Sequence, residues 1–382
     1  MASLHQELTE IPLERLRRRR SAKWAMYPEA LPAWVAEMDF PLAPPVKRAL
    51  TEAVELDDCG YAAPAELGLA DAFAGFAAAR LGWQVDPAQV TASSNVVAAL
   101  TEVLRALAEP GDRVVINTPV YHPFFAIVEE VGCELAEVPL RDGRLDVEGI
   151  EREFAAGATA LILCSPHNPS GDVPSREQLA TIADAAERHG AWVLADEIHA
   201  PLTLPGAEQV PFLTVSEAAR ERGIAFSSAS KTFNLAGLMC SQMITAAPGP
   251  AAVIEGLSFI AKHGGHLGAI ASIAAFREGG PWLDEVLAVL DHNRALLGGL
   301  LTERLPEVGY RPPRAGYLAW LDLRELGLGE DPAAVILERG GLALNSGPTF
   351  GPQGAGFARL NFGTSPALVG DAVERIARTV GR

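Results

Sequence analysis

The stretch "GIAFSSASKTFNLAG", residues 223–237, places a lysine just after a short apolar run. Residues 223–230 are typical of a buried strand, and Lys231 follows the small hydroxyl residues at its end. In open α/β sheets, ligands bind beyond the carboxyl ends of the strands. The stretch therefore predicts a sheet with a lysine amine at its ligand-binding edge.

Three further apolar runs have the character of buried strands and alternate with helical patterns. They are residues 112–119 ("DRVVINTP"), 159–166 ("TALILCSP") and 191–197 ("AWVLADE"). Between the last two, "SREQLATIADAAERHG" begins with a capping box, Ser175 with Gln178, and ends at Gly190, which predicts a crossover helix. The alternation predicts an α/β fold with a mostly parallel central sheet flanked by helices.

The pattern changes after about residue 280, where a long helical segment is followed by "GYLAWLDL" and "FARLNFG". We interpret this as a second, smaller α+β domain. The predicted organisation is a large domain at 46–280 and a small domain at 281–382, with residues 1–45 contributing to the small domain.

Composition narrows the classes of function. The 382 residues carry a formal net charge of −17, which disfavours nucleic acids and anionic membranes as partners. The basic run 17–20 ("RRRR") is expected to be a solvated helix face. No apolar run is long enough to span a bilayer, no signal-peptide pattern is present, and the four cysteines have neither metal-ligand nor disulfide spacing. We expect a cytoplasmic protein without a metal site, its thiols reduced and mostly buried.

An anion site is predicted where "TASSNVVAAL" passes into a helical pattern that closes at Pro110 and Gly111. The start of such a helix offers free N–H groups and the positive end of its dipole, beside Asn95 and two serines. The same residues are also ordinary helix caps, and no Walker or dinucleotide motif is present.

Three more residues at strand ends suggest one cofactor. Asp196 could pair with a ring nitrogen or cap the next segment, and Asn168 could donate to a phenolate oxygen or serve in a turn. Tyr121 could stack on a planar ring or pack in the core. Together with Lys231 and the anion site, they supply what pyridoxal phosphate needs: a lysine for the aldehyde, a partner for each ring heteroatom, a flat neighbour and a phosphate site.

Arg359 lies between apolar neighbours in "GFARLNF". Burying a guanidinium is costly unless its planar fork meets an anion, and bidentate pairing with a carboxylate suits that fork. The residue is thus a candidate for binding a substrate carboxylate, and a buried structural ion pair is the alternative.

The ordered motifs "ASSNVV", "TPVYHPF", "SPHNPSGDV", "LADEIH", "SSASKTFNLAG" and "GFARLNFG" resemble the class I/II aminotransferase superfamily, the fold-type I pyridoxal phosphate enzymes, over nearly the whole chain. The segments "SAKWAMYPEALPAWVAEMDFP" and "GYAAP" resemble more specifically the bacterial cystathionine β-lyase branch, the C-S lyases related to MalY and PatB. The resemblance implies an aspartate aminotransferase-like fold and a homodimer with active sites shared between its subunits.

The resemblance also implies roles for individual residues. Lys231 would bind the cofactor covalently, Asp196 would contact the pyridine nitrogen, and Asn168 would lie near the ring oxygen and the substrate. Tyr121 would cover the ring with His199 beside it, and Arg359 would hold the substrate carboxylate. The cofactor phosphate would be bound by a set drawn from both subunits, namely Asn95, Val96, Val97, Ser228 and Ser230, with Tyr61 from the second subunit.

Three positions depart from the family pattern. Many aminotransferases carry an arginine eight residues after the lysine to neutralise the phosphate, and this chain has Met239 there; the lyase branch tolerates that loss. Ala25 replaces a usual acidic residue, and Ser346 lies where the branch has Pro-Gly; both changes bear on substrate shape. The leading hypothesis is a β-lyase acting on cystathionine or a related cysteine S-conjugate. An aminotransferase on the same scaffold and a regulatory protein that keeps the fold are the alternatives.

Overall fold

The computed structural model describes residues 3–382. Its strands are β1 (Leu31–Pro32), β2 (Val90–Ser93), β3 (Arg113–Ile116), β4 (Glu134–Glu137), β5 (Ala160–Cys164), β6 (Trp192–Asp196), β7 (Gly223–Ser227), β8 (Ser241–Ile244), β9 (Gly309–Tyr310), β10 (Leu318–Asp322), β11 (Leu342–Ala343), β12 (Asn345–Ser346) and β13 (Phe357–Asn361).

Its α-helices are α1 (Leu4–Thr9), α2 (Leu13–Arg17), α3 (Ala22–Ala25), α4 (Pro44–Glu55), α5 (Leu69–Leu81), α6 (Val96–Leu107), α7 (Pro123–Glu130), α8 (Val147–Ala155), α9 (Arg176–His189), α10 (Glu217–Arg222), α11 (Ala229–Thr232), α12 (Pro248–Gly256), α13 (His266–Glu278), α14 (Gly280–Arg304), α15 (Pro332–Gly340) and α16 (Pro366–Thr379).

The predicted α/β fold with a mostly parallel central sheet is confirmed. The large sheet has the strand order β2-β8-β7-β6-β5-β3-β4, and β8 alone runs opposite to the other six strands. The four predicted strand runs correspond to β3, β5, β6 and β7, each shorter at its polar end. The capping box that begins α9 is present, with Gly190 in the left-handed conformation at its end.

The sheet is covered by core residues on both faces, because side chains alternate along a strand. On β5, Leu161 and Leu163 pack into one buried cluster, and Ile162 packs into the other. All five residues of β5 and of β7 are buried. Polar groups are therefore confined to the ends of these strands, which is where the predicted site residues lie.

A second sheet is antiparallel, in the order β12-β13-β10-β9. The N-terminal residues join this part of the chain, since β1 pairs in parallel with β11. The domain limits at 45 and 280 stay a prediction. No helix of the described chain is long and apolar enough to cross a membrane.

The helix begun by "SNVV" ends at Leu107, with Pro110 and Gly111 beyond its end as predicted. Two expectations need correction. Only Cys164 and Cys240 are buried, while Cys59 is exposed and Cys133 partly exposed, because each follows a surface turn. The basic run is not one helix face: α2 ends within it. Arg19 turns inward and donates to the Asp39 carbonyl at 2.8 Å.

Candidate active site

A cavity of about 160 Å³ lies at the carboxyl ends of β5, β6 and β7. It brings together predicted residues that are far apart in the sequence, as expected for an open parallel sheet. Those that line it are Asn95, Val96, Val97, Tyr121, Asn168, Asp196, His199, Ser230 and Lys231. Arg359 adjoins this set through a direct contact with Asn168.

Lys231 lies in the short helix α11, immediately after β7. Its Nζ donates a hydrogen bond to the Ala36 carbonyl at 2.9 Å. Burial, and then the positive charge of Arg359, lower the pKa of this amine to about 8. A substantial fraction of the amine is therefore neutral near pH 8, as a nucleophile or general base requires.

Asp196 is the last residue of β6, and its Oδ1 accepts a hydrogen bond from the Ile198 backbone N–H at 3.1 Å. The capping contact that we considered as an alternative role is thus present. It leaves the carboxyl group buried, and burial raises its pKa to about 6. A buried carboxylate of this kind is stabilised by a cationic partner such as a protonated ring nitrogen.

Arg359 is buried and anchored at one end of the cavity. Its Nη1 donates to Asn168 Oδ1 at 2.9 Å and its Nη2 to the Trp34 carbonyl at 2.9 Å, and the guanidinium lies 5.0 Å from the ring centre of Phe350. No carboxylate among residues 3–382 forms an ion pair with it, and its buried Nε lacks a hydrogen-bond partner there. A structural ion pair, the alternative role, is therefore not observed, and the cation is free to bind an anion from outside.

His199 and Tyr121 complete the walls of the cavity. Burial lowers the pKa of His199 to about 3, so this imidazole is neutral at physiological pH. Its Nδ1 is buried and finds no partner among the described residues. Burial, reinforced by Asp196, raises the pKa of the Tyr121 hydroxyl, which stays protonated.

The predicted phosphate end lies at the start of α6. Asn95 caps this helix by accepting from the Ala98 N–H at 2.9 Å, so the first-turn N–H groups and the helix dipole favour an anion there. Ser230 lines the cavity, but Ser228 lies behind it, donating to the Cys240 carbonyl at 2.6 Å. Ser228 is thus hydrogen-bonded to the loop residue that follows Met239.

Tyr61 does not line the cavity. It is 96% exposed in a surface segment before α5. Within the single chain it makes no contribution to the phosphate end.

The segment 34–40, "WVAEMDF", is a structural part of the site whose role we did not predict; we call it the strap. The Ala36 carbonyl accepts from Tyr317 Oη at 3.0 Å as well as from Lys231. Asn361 Nδ2 donates to the carbonyls on both sides of Ala36, at 2.7 Å each. The strap thereby connects the lysine of the central sheet to residues of the second sheet.

The far end of the strap is fixed by a buried ion pair. Lys23 Nζ lies 2.9 Å from Asp39 Oδ2, and Trp24 Nε1 donates to Asp39 Oδ1 at 2.8 Å. Asn234, three residues after Lys231, accepts a hydrogen bond from the Met38 N–H and donates one to the Met38 carbonyl, each at 2.8 Å. In the sequence, the polar residues of this pair lie next to apolar ones in "SAKWAMYP" and "EMDF", which is a sign of burial. Their contact partners are distant in the chain, however, and could not be assigned from the sequence.

Pyridoxal phosphate fits the groups present. One cavity is lined by a lysine of lowered pKa, a buried carboxylate that forms no ion pair in the described chain, the unpartnered Nδ1 of His199, and a free helix start. Arg359, whose Nε also lacks a partner among these residues, adjoins the cavity through Asn168. Among the described residues, no cluster of side chains could hold a metal ion instead.

Comparisons with known proteins agree with this geometry. The model of the family described as "Aminotransferase class I and II" matches residues 40–376. Cystathionine beta-lyase PatB of Bacillus subtilis is 38% identical over 358 residues, covering 91% of this chain and 92% of PatB.

Two crystal structures are similar over almost their whole length. A protein of Corynebacterium diphtheriae is 35% identical with a TM-score of 0.93, over 98% of this chain and 99% of that one. Cystalysin of Treponema denticola, which contains a pyridoxal 5′-phosphate cofactor, is 28% identical with a TM-score of 0.89, over 98% of both chains. The aspartate aminotransferase-like fold is confirmed, and the chain belongs to the class I and II aminotransferase family.

Proposed function

We propose that this protein is a pyridoxal 5′-phosphate-dependent carbon–sulfur β-lyase that cleaves cystathionine or a related cysteine S-conjugate to a thiol, pyruvate and ammonia. The observation that carries the proposal is that Lys231 and Asp196 line one cavity, while Arg359, which has no ionic partner in the described chain, adjoins it through Asn168. The similarity to PatB, named a cystathionine beta-lyase, selects the β-lyase over an aminotransferase on the same scaffold. The intact set of groups disfavours a purely regulatory protein.

In this proposal, the cofactor is held by the residues that line the cavity. Lys231 would bind its aldehyde carbon, Asp196 its ring nitrogen and Asn168 its ring oxygen, while Tyr121 and His199 would lie against the ring. Asn95, Val96, Val97 and Ser230 would bind the phosphate, with Ser228 holding the loop behind them. When bound, the cofactor withdraws electrons from the substrate Cα, which makes loss of the Cα proton and departure of a Cβ thiolate possible.

Lys231 acts as the base of the reaction. Its free Nζ would accept the substrate Cα proton, which requires the neutral amine. Burial and Arg359 favour that neutral form by holding the pKa near 8. The Ala36 carbonyl, 2.9 Å away, accepts a hydrogen bond from the free amine and limits its range of positions.

Arg359 binds the substrate α-carboxylate. Its guanidinium is already oriented by the Asn168 side chain and the Trp34 carbonyl, so little conformational entropy is lost on binding. A carboxylate would supply the negative charge that this buried cation lacks among the described residues.

We further propose that the protein is a homodimer with shared active sites. Tyr61, Phe259 and Ile260 are 96%, 76% and 82% exposed, which is unusual for large apolar side chains. The two segments that carry them are joined near these residues, because Asp58, three residues before Tyr61, lies 3.0 Å from His266, which follows Ile260 by six residues. A second subunit on this face would bring its Tyr61 to the phosphate end. A cytoplasmic location, and the absence of nucleic-acid and membrane partners, stay predictions from the sequence.

Mixed dimers test the shared site. Co-expression of a Tyr61→Phe chain with a Lys231→Ala chain yields dimers in which one site carries both defects and the other carries neither. We expect the purified mixed dimer to have about half the wild-type activity per dimer and to exceed both parent homodimers. Activity no higher than that of the Tyr61→Phe parent, in a preparation shown by mass spectrometry to contain mixed dimers, would contradict the arrangement.

The reaction itself is tested by product stoichiometry. With cystathionine or an S-alkyl cysteine as the sole amino acid and no keto acid added, we expect pyruvate and free thiol in equal amounts over many turnovers. A thiolate leaves Cβ readily, and elimination needs no second substrate. Activity that stops after one turnover per site and resumes when a keto acid is supplied would contradict the lyase and favour the aminotransferase.

A further inference from the structure

A second, open cleft of about 890 Å³ lies among the N-terminal helices and the segment that leads into α4. Its lining combines cationic side chains with apolar ones and has a single acidic residue. The lining residues are Glu7, Arg15, Arg18, Arg19, Pro41, Leu42, Pro44 and Lys47. None of them belongs to the active-site cavity.

Three of the cations in this cleft are uncompensated. Arg15, Arg18 and Lys47 form no ion pair with any residue in the described range 3–382. Arg19 differs, since its guanidinium donates to the carbonyls of Asp39 and Phe40 at the end of the strap. Glu7 is the one acidic side chain in the lining, so the cations of the cleft outnumber their counter-charge there, and a bound anion would reduce their mutual repulsion.

The fold creates this cluster by dividing the basic run. Because α2 ends at Arg17, the next residues leave the helix axis, and Arg18 and Arg19 reach the cleft while Arg17 and Arg20 do not. Lys47 comes from the first turns of α4, a helix of twelve residues whose dipole adds positive potential at the same place. Two separate elements thus direct cations into one cleft.

We propose that this cleft binds a polyphosphate group, carried by a nucleotide or present as an inorganic chain. Guanidinium forks pair bidentately with phosphate oxygens, and the ammonium of Lys47 suits a further phosphate as a point charge. The cations come from separate elements and border one cleft, which suits a ligand that carries several phosphates. Pro41, Leu42 and Pro44 offer an apolar surface on which the organic part of a nucleotide can lie. The site is independent of the proposed lyase activity.

Isothermal titration of the holoenzyme, saturated with pyridoxal phosphate, with ATP and separately with sodium tripolyphosphate tests the proposal. We expect binding of at least one probe with a Kd below about 1 mM, and the two arms distinguish a nucleotide from an inorganic ligand. Adenosine, which lacks phosphate, is expected not to bind. No binding of either polyphosphate, or equal binding of adenosine and ATP, would overturn the proposal.

A matched pair of variants locates the site. The double variant Arg18→Ala/Lys47→Ala is expected to weaken binding at least about tenfold, since each charged hydrogen bond is worth about a factor of ten. The control variant Arg17→Ala/Arg20→Ala also removes two positive charges from this region, but neither residue lines the cleft. It should leave Kd within about twofold of the wild-type value. All four side chains are on the surface, and circular dichroism verifies folding. Equal weakening in both variants, or none in the first, would contradict the site.

Discussion

Replacement of Lys231 by alanine is expected to lower kcat for thiol release by about 10⁴-fold or more, because one side chain supplies both covalent attachment of the cofactor and the general base. Lys231 is the only lysine that lines the cavity, so no neighbour within the described chain can substitute for it. The loss is measured as pyruvate formation under substrate saturation.

Two controls distinguish a chemical role from a structural one. Added methylamine should restore part of the activity of Lys231→Ala, since a small amine can enter the space of the missing side chain. Borohydride reduction of the wild-type holoenzyme should attach a pyridoxyl group at Lys231. Labelling at another lysine, or a Lys231→Ala variant with more than a tenth of wild-type activity, would contradict the assignment.

The pH profile carries a further signature of the same lysine. The base is the neutral amine, so kcat is expected to rise with pH through the pKa of about 8. The positive charge of Arg359 contributes to lowering that pKa, and removal of this charge should therefore move the ascending limb to higher pH.

Arg359→Ala is expected to raise KM for the amino-acid substrate by about 30-fold or more, since truncation of a buried charge-assisted pair costs about 2 to 5 kcal/mol. The cofactor should remain bound, because Arg359 contacts Asn168 and the strap but does not line the cavity. Steady-state kinetics give KM, and the visible absorption of the purified protein reports cofactor content.

Arg359→Lys is the matched control, because it keeps the charge without the planar fork. It should restore the wild-type position of the pH limb but only part of the substrate affinity. Loss of bound cofactor together with activity in Arg359→Ala would instead assign this arginine to the structural support of the site.

The sequence alone was sufficient for features that depend on local chemistry. Buried strands such as β5 and β7 were predicted because an uninterrupted apolar run of strand length has few other stable arrangements, and the residue that follows must lie at the sheet edge. The same reasoning placed Lys231 and Asp196 at a common edge. The ordered motifs were enough for the family, because several of them match in sequence.

The tertiary structure decided what depends on partners distant in the chain. Only the fold brings the Ala36 carbonyl to both Lys231 and Tyr317, contacts that span 195 and 281 residues. Only the fold shows that Arg359 is buried and hydrogen-bonded to a side-chain amide and a backbone carbonyl, without an ionic partner in the described chain. Only the fold shows that the basic run "RRRR" divides between a cleft and the solvent. The physical reason is that hydrogen bonds and charges act through space over a few ångströms, whereas sequence patterns report burial and backbone preference along the chain.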